Sequence, residues 1–472
     1  MTDAEAWQLM TERLSTLKLD KAVRERAQLE PLIRVTGGNP KALEMALGLM
    51  KYQRQPLQQV IDDLYAARGD LFDDLFARAW SLLDEAARRV LLITPLFVDS
   101  AGEEALAQVA DVQGFACTRA IEQLTDLALL DVQQVDLGSP VRYTTHRLVR
   151  TFAGAKLTER AAFEQEARER WVQWAFGLIG QVGNCFANDP QFELMDLDQR
   201  TCYAAIEWAA DYSSYEFMFD RLDRSECYYT FRGHWYTMRG VYLLWIKAAQ
   251  RLSNPVEEFR GIAAYMELSL LQSNSTEVES YFNRLHTLDA TNLPDKEHLK
   301  YLHTLARHAL VKENIAEAQR LWQEADRFQQ ERAVKTWINV RIYVATCFYR
   351  QGDLDHARNL FLSVLEESVA KVDKLNIIHA QIGLAQIDLD QMELASAERR
   401  ITFLFKQKRA HREQLPSREW LAARLFTLQG NYAAAREAFG KAIDTFERMG
   451  MRRELAEARA ELAALEAQLA TA

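Results

Sequence analysis

Hydrophobic positions along this chain keep a helical rhythm almost throughout, with one interruption. Ala6, Leu9, Met10, Leu14 and Leu17 recur at helical spacing behind a Thr2-x-x-Glu5 capping box, and residues 3–70 read as helices. Inside that stretch, Leu29-Glu30-Pro31-Leu32-Ile33-Arg34-Val35 runs into Thr36-Gly37-Gly38-Asn39-Pro40. The two glycines end one helix and Pro40 suits the first turn of the next, so GGNP taken alone is a helix–turn–helix connection. The interruption comes between 82 and 157. Three short helices, at about 82–93, 102–111 and 116–128, precede a strand over Leu129-Leu130-Asp131-Val132-Gln133. A turn at Asp136-Leu137-Gly138-Ser139-Pro140 leads back along Val141-Arg142-Tyr143-Thr144, the one convincing hairpin in the sequence. Directly after it, Thr145-His146-Arg147-Leu148-Val149 opens another helix with His146 on its first turn. Three helices followed by a hairpin is the order of a winged helix.

Beyond 158 the pattern is helical to the end. Trp171, Trp174, Trp208, Trp235 and Trp245 crowd the stretch 158–245, and aromatics at helical spacing are packed core before they are a ligand cage. From about 225 the chain repeats itself. A small residue four before a large apolar one recurs as Gly240/Leu244, Val278/Phe282, Ala318/Trp322, Ala357/Phe361, Ala397/Ile401 and Ala435/Phe439. The small positions stand 38, 40, 39, 40 and 38 residues apart. A fixed period in this range means stacked helix pairs, in which the small side chain admits the neighbouring helix and the large one fills the gap. Gln351-Gly352-Asp353-Leu354 and Gln429-Gly430-Asn431-Tyr432 fall where such pairs reverse, and the last helix, Arg453 to Leu469, reads as a solvated cap.

Composition narrows the function. A hydrophobic content of 49% with 10% aromatics supports sizeable cores. The net charge of −10 argues against a general nucleic-acid or anionic-membrane surface. The third helix of the winged-helix pattern, Ala116 to Ala128, offers Arg119 as its only cation against Glu122 and Asp126, too little for phosphate affinity. No apolar run reaches membrane-spanning length and the N-terminus has no signal pattern. Cys117, Cys185, Cys202, Cys227 and Cys347 are scattered, which reads as reduced core thiols in a cytoplasmic protein. No phosphate-loop, dinucleotide, zinc-protease or nucleophile-elbow motif occurs. His298, His303 and His308 are five apart and rotate around a helix, which disfavours a metal site. Asp62-Asp63, Asp73-Asp74 and Glu366-Glu367 point apart as solvated faces. No catalytic constellation emerges, and the chain itself is not expected to be an enzyme.

The repeats resemble tetratricopeptide (TPR) repeats: Val344-Ala345-x-x-Phe348, then Gly352-Asp353-Leu354-x-x-Ala357-x-x-x-Phe361, follows that pattern at a longer period. The front half resembles the regulatory part of NB-ARC-type signal-transduction ATPases, the STAND class. There a GxP motif, here Gly38-Asn39-Pro40, opens the helical domain behind the nucleotide, with its Pro near the adenine. A winged helix follows and ends in a Met-His-Asp motif whose His contacts the β-phosphate of ADP. Here that motif reads Thr145-His146-Arg147, with the His kept and its neighbours replaced. Ala204-Ala205-Ile206-Glu207-Trp208-Ala209 and Phe231-Arg232-Gly233-His234-Trp235 are similar to segments that bacterial members place between winged helix and repeats.

The expected fold is therefore mainly α. It comprises a helical domain (1–70), a winged helix with a small β-hairpin wing (71–157), a helical linker or start of the superhelix (158–224) and an α-solenoid of TPR-like pairs with a cap helix (225–472). The resemblance implies the regulatory and sensor portion of a STAND ATPase, with Pro40 and His146 facing ADP, and with ATP and Mg bound in a longer parent. The P-loop domain would lie upstream of residue 1, so that the chain has either a truncated start or belongs to a natural protein that has lost its ATPase. The repeats would bind a protein or peptide ligand, with His303, Arg307, Tyr349, Arg350, Gln386, Trp420 and Arg424 at inner-face positions. A stand-alone repeat scaffold and a winged-helix transcription regulator are the alternatives; a membrane partner is not expected.

Overall fold

The structure, a computed structural model, describes every residue except 20–25, 67–70, 135–138, 183–190, 213–217, 272–274, 289–291, 335–338, 408–413 and 472. It is mainly α, and contacts divide it into two compact units. Met1–Leu178 with Leu194–Ala205 form the first, and Ile179–Glu193 with Ile206–Ala472 the second.

The first unit opens with α1 (Asp3–Thr16), α2 (Glu30–Val35), α3 (Pro40–Gln53), α4 (Leu57–Ala66) and α5 (Leu71–Leu82). The capping box read from Thr2 and Glu5 forms: Thr2 N donates to Glu5 Oε2 at 2.7 Å and Glu5 N to Thr2 Oγ1 at 3.3 Å. Gly37 and Gly38, at φ 60° and 67°, turn the chain after α2. Asn39 then caps α3 by accepting from the Lys41 and Ala42 amides, with Pro40 on its first turn. Next come α6 (Glu85–Ile93), α7 (Glu103–Ala110) and α8 (Phe115–Asp126), and the antiparallel strands β1 (Asp131–Gln133) and β2 (Arg142–Thr144). Their register pairs Asp131 with Thr144 and Gln133 with Arg142. The turn residues Asp136, Leu137 and Gly138 lie outside the described residues, as does the 70/71 boundary read from the sequence. After the hairpin run α9 (Arg147–Thr158) and α10 (Ala161–Gln181).

Two features lock this unit. The end of α8 meets α3 at Gly48, where an added Cβ would stand 2.5 Å from the Asp126 carbonyl oxygen. The orphan carbonyls there are not left bare, since Arg13 Nη2 donates to Thr125 and Asp126 at 2.5 and 3.0 Å. Arg142 on β2 grips Asp198 with two hydrogen bonds of 2.5 and 3.0 Å, both side chains being almost buried. That pair, with Val98 N donating to Thr201 at 3.1 Å, ties the first half of α11 (Gln191–Tyr212) to the hairpin. The segment 158–224 consequently forms no unit of its own; the division runs through α10 and α11.

The second unit continues from α11 with α12 (Met218–Phe231), α13 (Trp235–Arg251), α14 (Pro255–Leu271) and α15 (Ser275–Thr287). It goes on through α16 (Asp295–Val311), α17 (Ile315–Arg332), α18 (Val340–Arg350), α19 (Leu354–Ala370), α20 (Lys374–Asp390), α21 (Leu394–Lys406), α22 (Gln414–Leu428), α23 (Tyr432–Arg448) and α24 (Arg452–Thr471). The small/large series falls on the second helix of every pair from α12/α13 to α22/α23. Ala318, Ala357, Ala397 and Ala435 are completely buried, while Gly240 and Leu244 at the start are only half-buried. Phe361 reaches forward so far that a Cβ on Gly383 of α20 would stand 2.3 Å from its ring. Asp388, fully buried, is clamped by Arg358 at 2.6 Å and Arg400 at 2.7 Å, which bridges three consecutive helices.

Candidate functional sites at the hairpin and among the repeats

The loop between β2 and α9 is short, and His146 is its last residue. Its side chain caps α9: Nδ1 accepts from Leu148 N at 3.3 Å. An imidazole nitrogen that accepts carries no proton, so the neutral ring has its N–H at Nε2, on an exposed side chain at a helix N-terminus. Pro40 is exposed at the N-terminus of α3. The next residue, Lys41, is buried, and its Nζ donates to Asp131 Oδ1 on β1 at 2.6 Å. Asp131 lies across the ladder from Thr144, two residues before His146. The structure thus brings the two sequence-selected residues to the same hairpin, Pro40 joined to β1 through Lys41 and His146 leaving β2. Sequence reasoning missed Lys41. Its signal was a lysine directly inside the GGNP-opened helix, a position where a buried cation needs a distant partner.

Among the repeats, the inner-face residues separate into three fates. His303 is buried, not offered to a partner: Trp322 Nε1–H donates to its Nδ1 at 3.1 Å, and the Tyr343 ring lies 4.7 Å from its own. This corrects the expectation that it lines an open face. Tyr349, Trp420 and Arg424 join one network. Tyr349 donates to Asp390 at 2.6 Å, Arg424 donates to the same carboxylate at 2.7 Å, and Trp420 donates to Glu461 of α24 at 2.8 Å. Burial, then Asp390, pushes the Tyr349 hydroxyl up to about 12. Arg307, Arg350 and Gln386 line a cavity of about 660 Å³ bounded by α16, α18, α20 and the start of α24.

The last helix is more than a solvated cap. Glu454, Glu457 and Glu461 recur at spacings of three and four, so they share one face, and that face meets the first helices of the repeats. Burial holds the Glu454 and Glu461 carboxyls above their ordinary range. The acidic stripe was visible in the sequence; its destination was not. Among the thiols, Cys117, Cys202 and Cys347 are buried, and burial pushes Cys117 up to about 11 and Cys347 up to about 12. Cys185 and the Cys227 side chain lie outside the described residues. Among the described residues, no cluster of metal-ligating side chains occurs and no helix is long and apolar enough to cross a membrane.

No family model matches the chain. A curated protein, the transcription activator GutR of Bacillus subtilis (strain 168), is 28% identical over 165 residues, which is 32% of this chain and 20% of that protein. A solved STAND protein with a tetratricopeptide repeat sensor, from Pyrococcus horikoshii, superposes with a TM-score of 0.42 at 17% identity. That alignment covers 92% of this chain and 62% of the other. The chain therefore spans less than two thirds of the length of either.

Proposed function

We propose that this chain is the regulatory and sensor portion of a STAND-type ATPase. The helix pairs of the second unit bind a ligand or protein partner. The helix–hairpin unit, a winged helix on this reading, couples that binding to ADP or ATP state and to oligomerisation. The observation that carries it is the Lys41–Asp131 ion pair, which ties the start of α3, where Pro40 stands, to the hairpin that leads into His146. In this reading a nucleotide-binding domain supplies the phosphate cradle and the Mg site. From this chain, Pro40 packs near the adenine and the His146 Nε2–H donates to a phosphate oxygen of ADP. The chain itself carries regulation and no hydrolysis. A ligand opens the resting state only by as much as it prefers the open form, since equal affinity for both shifts nothing.

The test is nucleotide retention by the full-length protein. Bound ADP, quantified after denaturation, should fall at least about tenfold in affinity for His146→Ala, the loss of roughly one charge-assisted hydrogen bond. This chain alone should bind ADP no tighter than about 1 mM. Unchanged ADP retention in the variant, or micromolar ADP binding by this chain alone, overturns the reading, and absence of bound ADP from the full-length protein would favour a repeat scaffold that never meets nucleotide.

Control of transcription is a second reading, favoured by the partial likeness to a transcription activator. It would not run through α8. The C-terminal end of that helix is packed on Gly48, and Asp126 is taken by Lys51 at 2.5 Å and Tyr52 at 3.2 Å. A mobility shift of DNA that persists at physiological salt would revive that route.

A further inference from the structure

The 660 Å³ cavity in the second unit has the size of a small-ligand site. Leu310, Ile342, Tyr343 and Ile382 give it an apolar lining. Arg350 on α18 and Glu454 on α24 line the same space, both half-buried, and neither forms an ion pair with a described residue. Their charges are nevertheless strongly felt. Burial, and then Arg453 beside it, pull Arg350 below its ordinary value, while Glu457 and Glu454 act the other way. Burial, and then Glu457, push Glu454 up, opposed first by a hydrogen bond from its own backbone N–H and then by Arg453 and Arg307.

Two opposite, desolvated charges that face one cavity without forming an ion pair are each short of a counter-charge. A pure anion would satisfy Arg350 but meet the Glu454 and Glu457 carboxylates. A pure cation would satisfy the carboxylates and meet Arg350 and Arg453. A molecule bearing both charges satisfies both sides, and the apolar lining then takes the rest of it.

We infer that this cavity binds a small zwitterion, a free amino acid or short peptide with apolar side chains, with Arg350 taking the carboxylate and Glu454 the ammonium group. This deepens the reading of the repeats as the ligand-binding part. It places the ligand where α24 meets α16, α18 and α20, so that binding and the position of the last helix are linked.

The probe is leucyl-leucine, titrated calorimetrically into the chain without nucleotide, beside its N-acetylated and its C-amidated forms. The free dipeptide is expected to bind once per chain, with a dissociation constant below about 1 mM. Each capped form should bind at least about tenfold more weakly. Arg350→Gln should erase the discrimination against the amide only, and Glu454→Gln the discrimination against the acetyl form only. The crossed pattern cannot come from misfolding, and unchanged melting of both variants confirms it. No saturable binding up to about 10 mM, or equal binding of free and capped forms, overturns the proposal. Because no nucleotide is present, loss of this site and loss of the His146 coupling are read separately.

Discussion

Around the hairpin three charges of the described residues are matched. Lys41 meets Asp131, Arg142 grips Asp198 with both amino groups, and Lys51 meets Asp126. In the cavity of the repeats, Arg350 and Glu454 face a common space with no such match. The difference separates two uses of the same residue types. Paired, buried charges fix one arrangement of elements, because breaking a pair strands a desolvated ion. Unmatched charges on a cavity wall stabilise nothing until something enters. The repeats contain both kinds, since Asp388 is clamped by two arginines only a few residues along the stack from Arg350's cavity.

The sharpest way to break this contrast is at Asp388. Asp388→Ala should lower the unfolding free energy by about 3 kcal/mol, because Arg358 and Arg400 are left without their shared carboxylate. Urea denaturation checks it, and a loss under about 1 kcal/mol would mean the clamp holds nothing. Gly48→Ala comes next, at about 2 kcal/mol, since its methyl group would press on the backbone at Asp126. Gly154→Ala, on α9 with nothing within 4 Å of the added Cβ, is the control and should gain about 0.5–1 kcal/mol. Smaller still, Arg350→Gln and Glu454→Gln should leave stability within about 0.5 kcal/mol of the parent or raise it. A loss of about 2 kcal/mol in either would make them a structural pair and erase the contrast.

The smallest effect is one of pH. Burial raises Glu454 and Glu461 in the folded chain above the ordinary carboxyl value of 4.5. The folded state therefore holds protons that the unfolded state has released in the window just above that value. Stability of the docked α24 should fall as pH rises through it. Amide exchange across 452–471 at a series of pH values would reveal the trend; flat protection would count against it.

Much of the architecture was legible because it is written locally. The capping box at Thr2, the turn at Gly37-Gly38, the hairpin strands and the small/large series are all fixed by residues within a turn or two of each other. What escaped was set by partners far away. Lys41 and Asp131 are 90 positions apart. His303 sat at an inner-face position, but Trp322 and Tyr343 from the following helices close over it. The acidic stripe of α24 gave its periodicity away without saying that its neighbours would be Trp420 and Arg424 rather than water.

The contact between Phe361 and Gly383 has a consequence for anyone who would treat such repeats as spare parts. A ring from one repeat occupies the room that the next repeat leaves by lacking a side chain, so each of these two repeats is cut to its neighbour. Deleting or shuffling a repeat at this junction would set the ring against an ordinary residue. The stack is a sequence of keyed joints here, and its length and order are not freely editable.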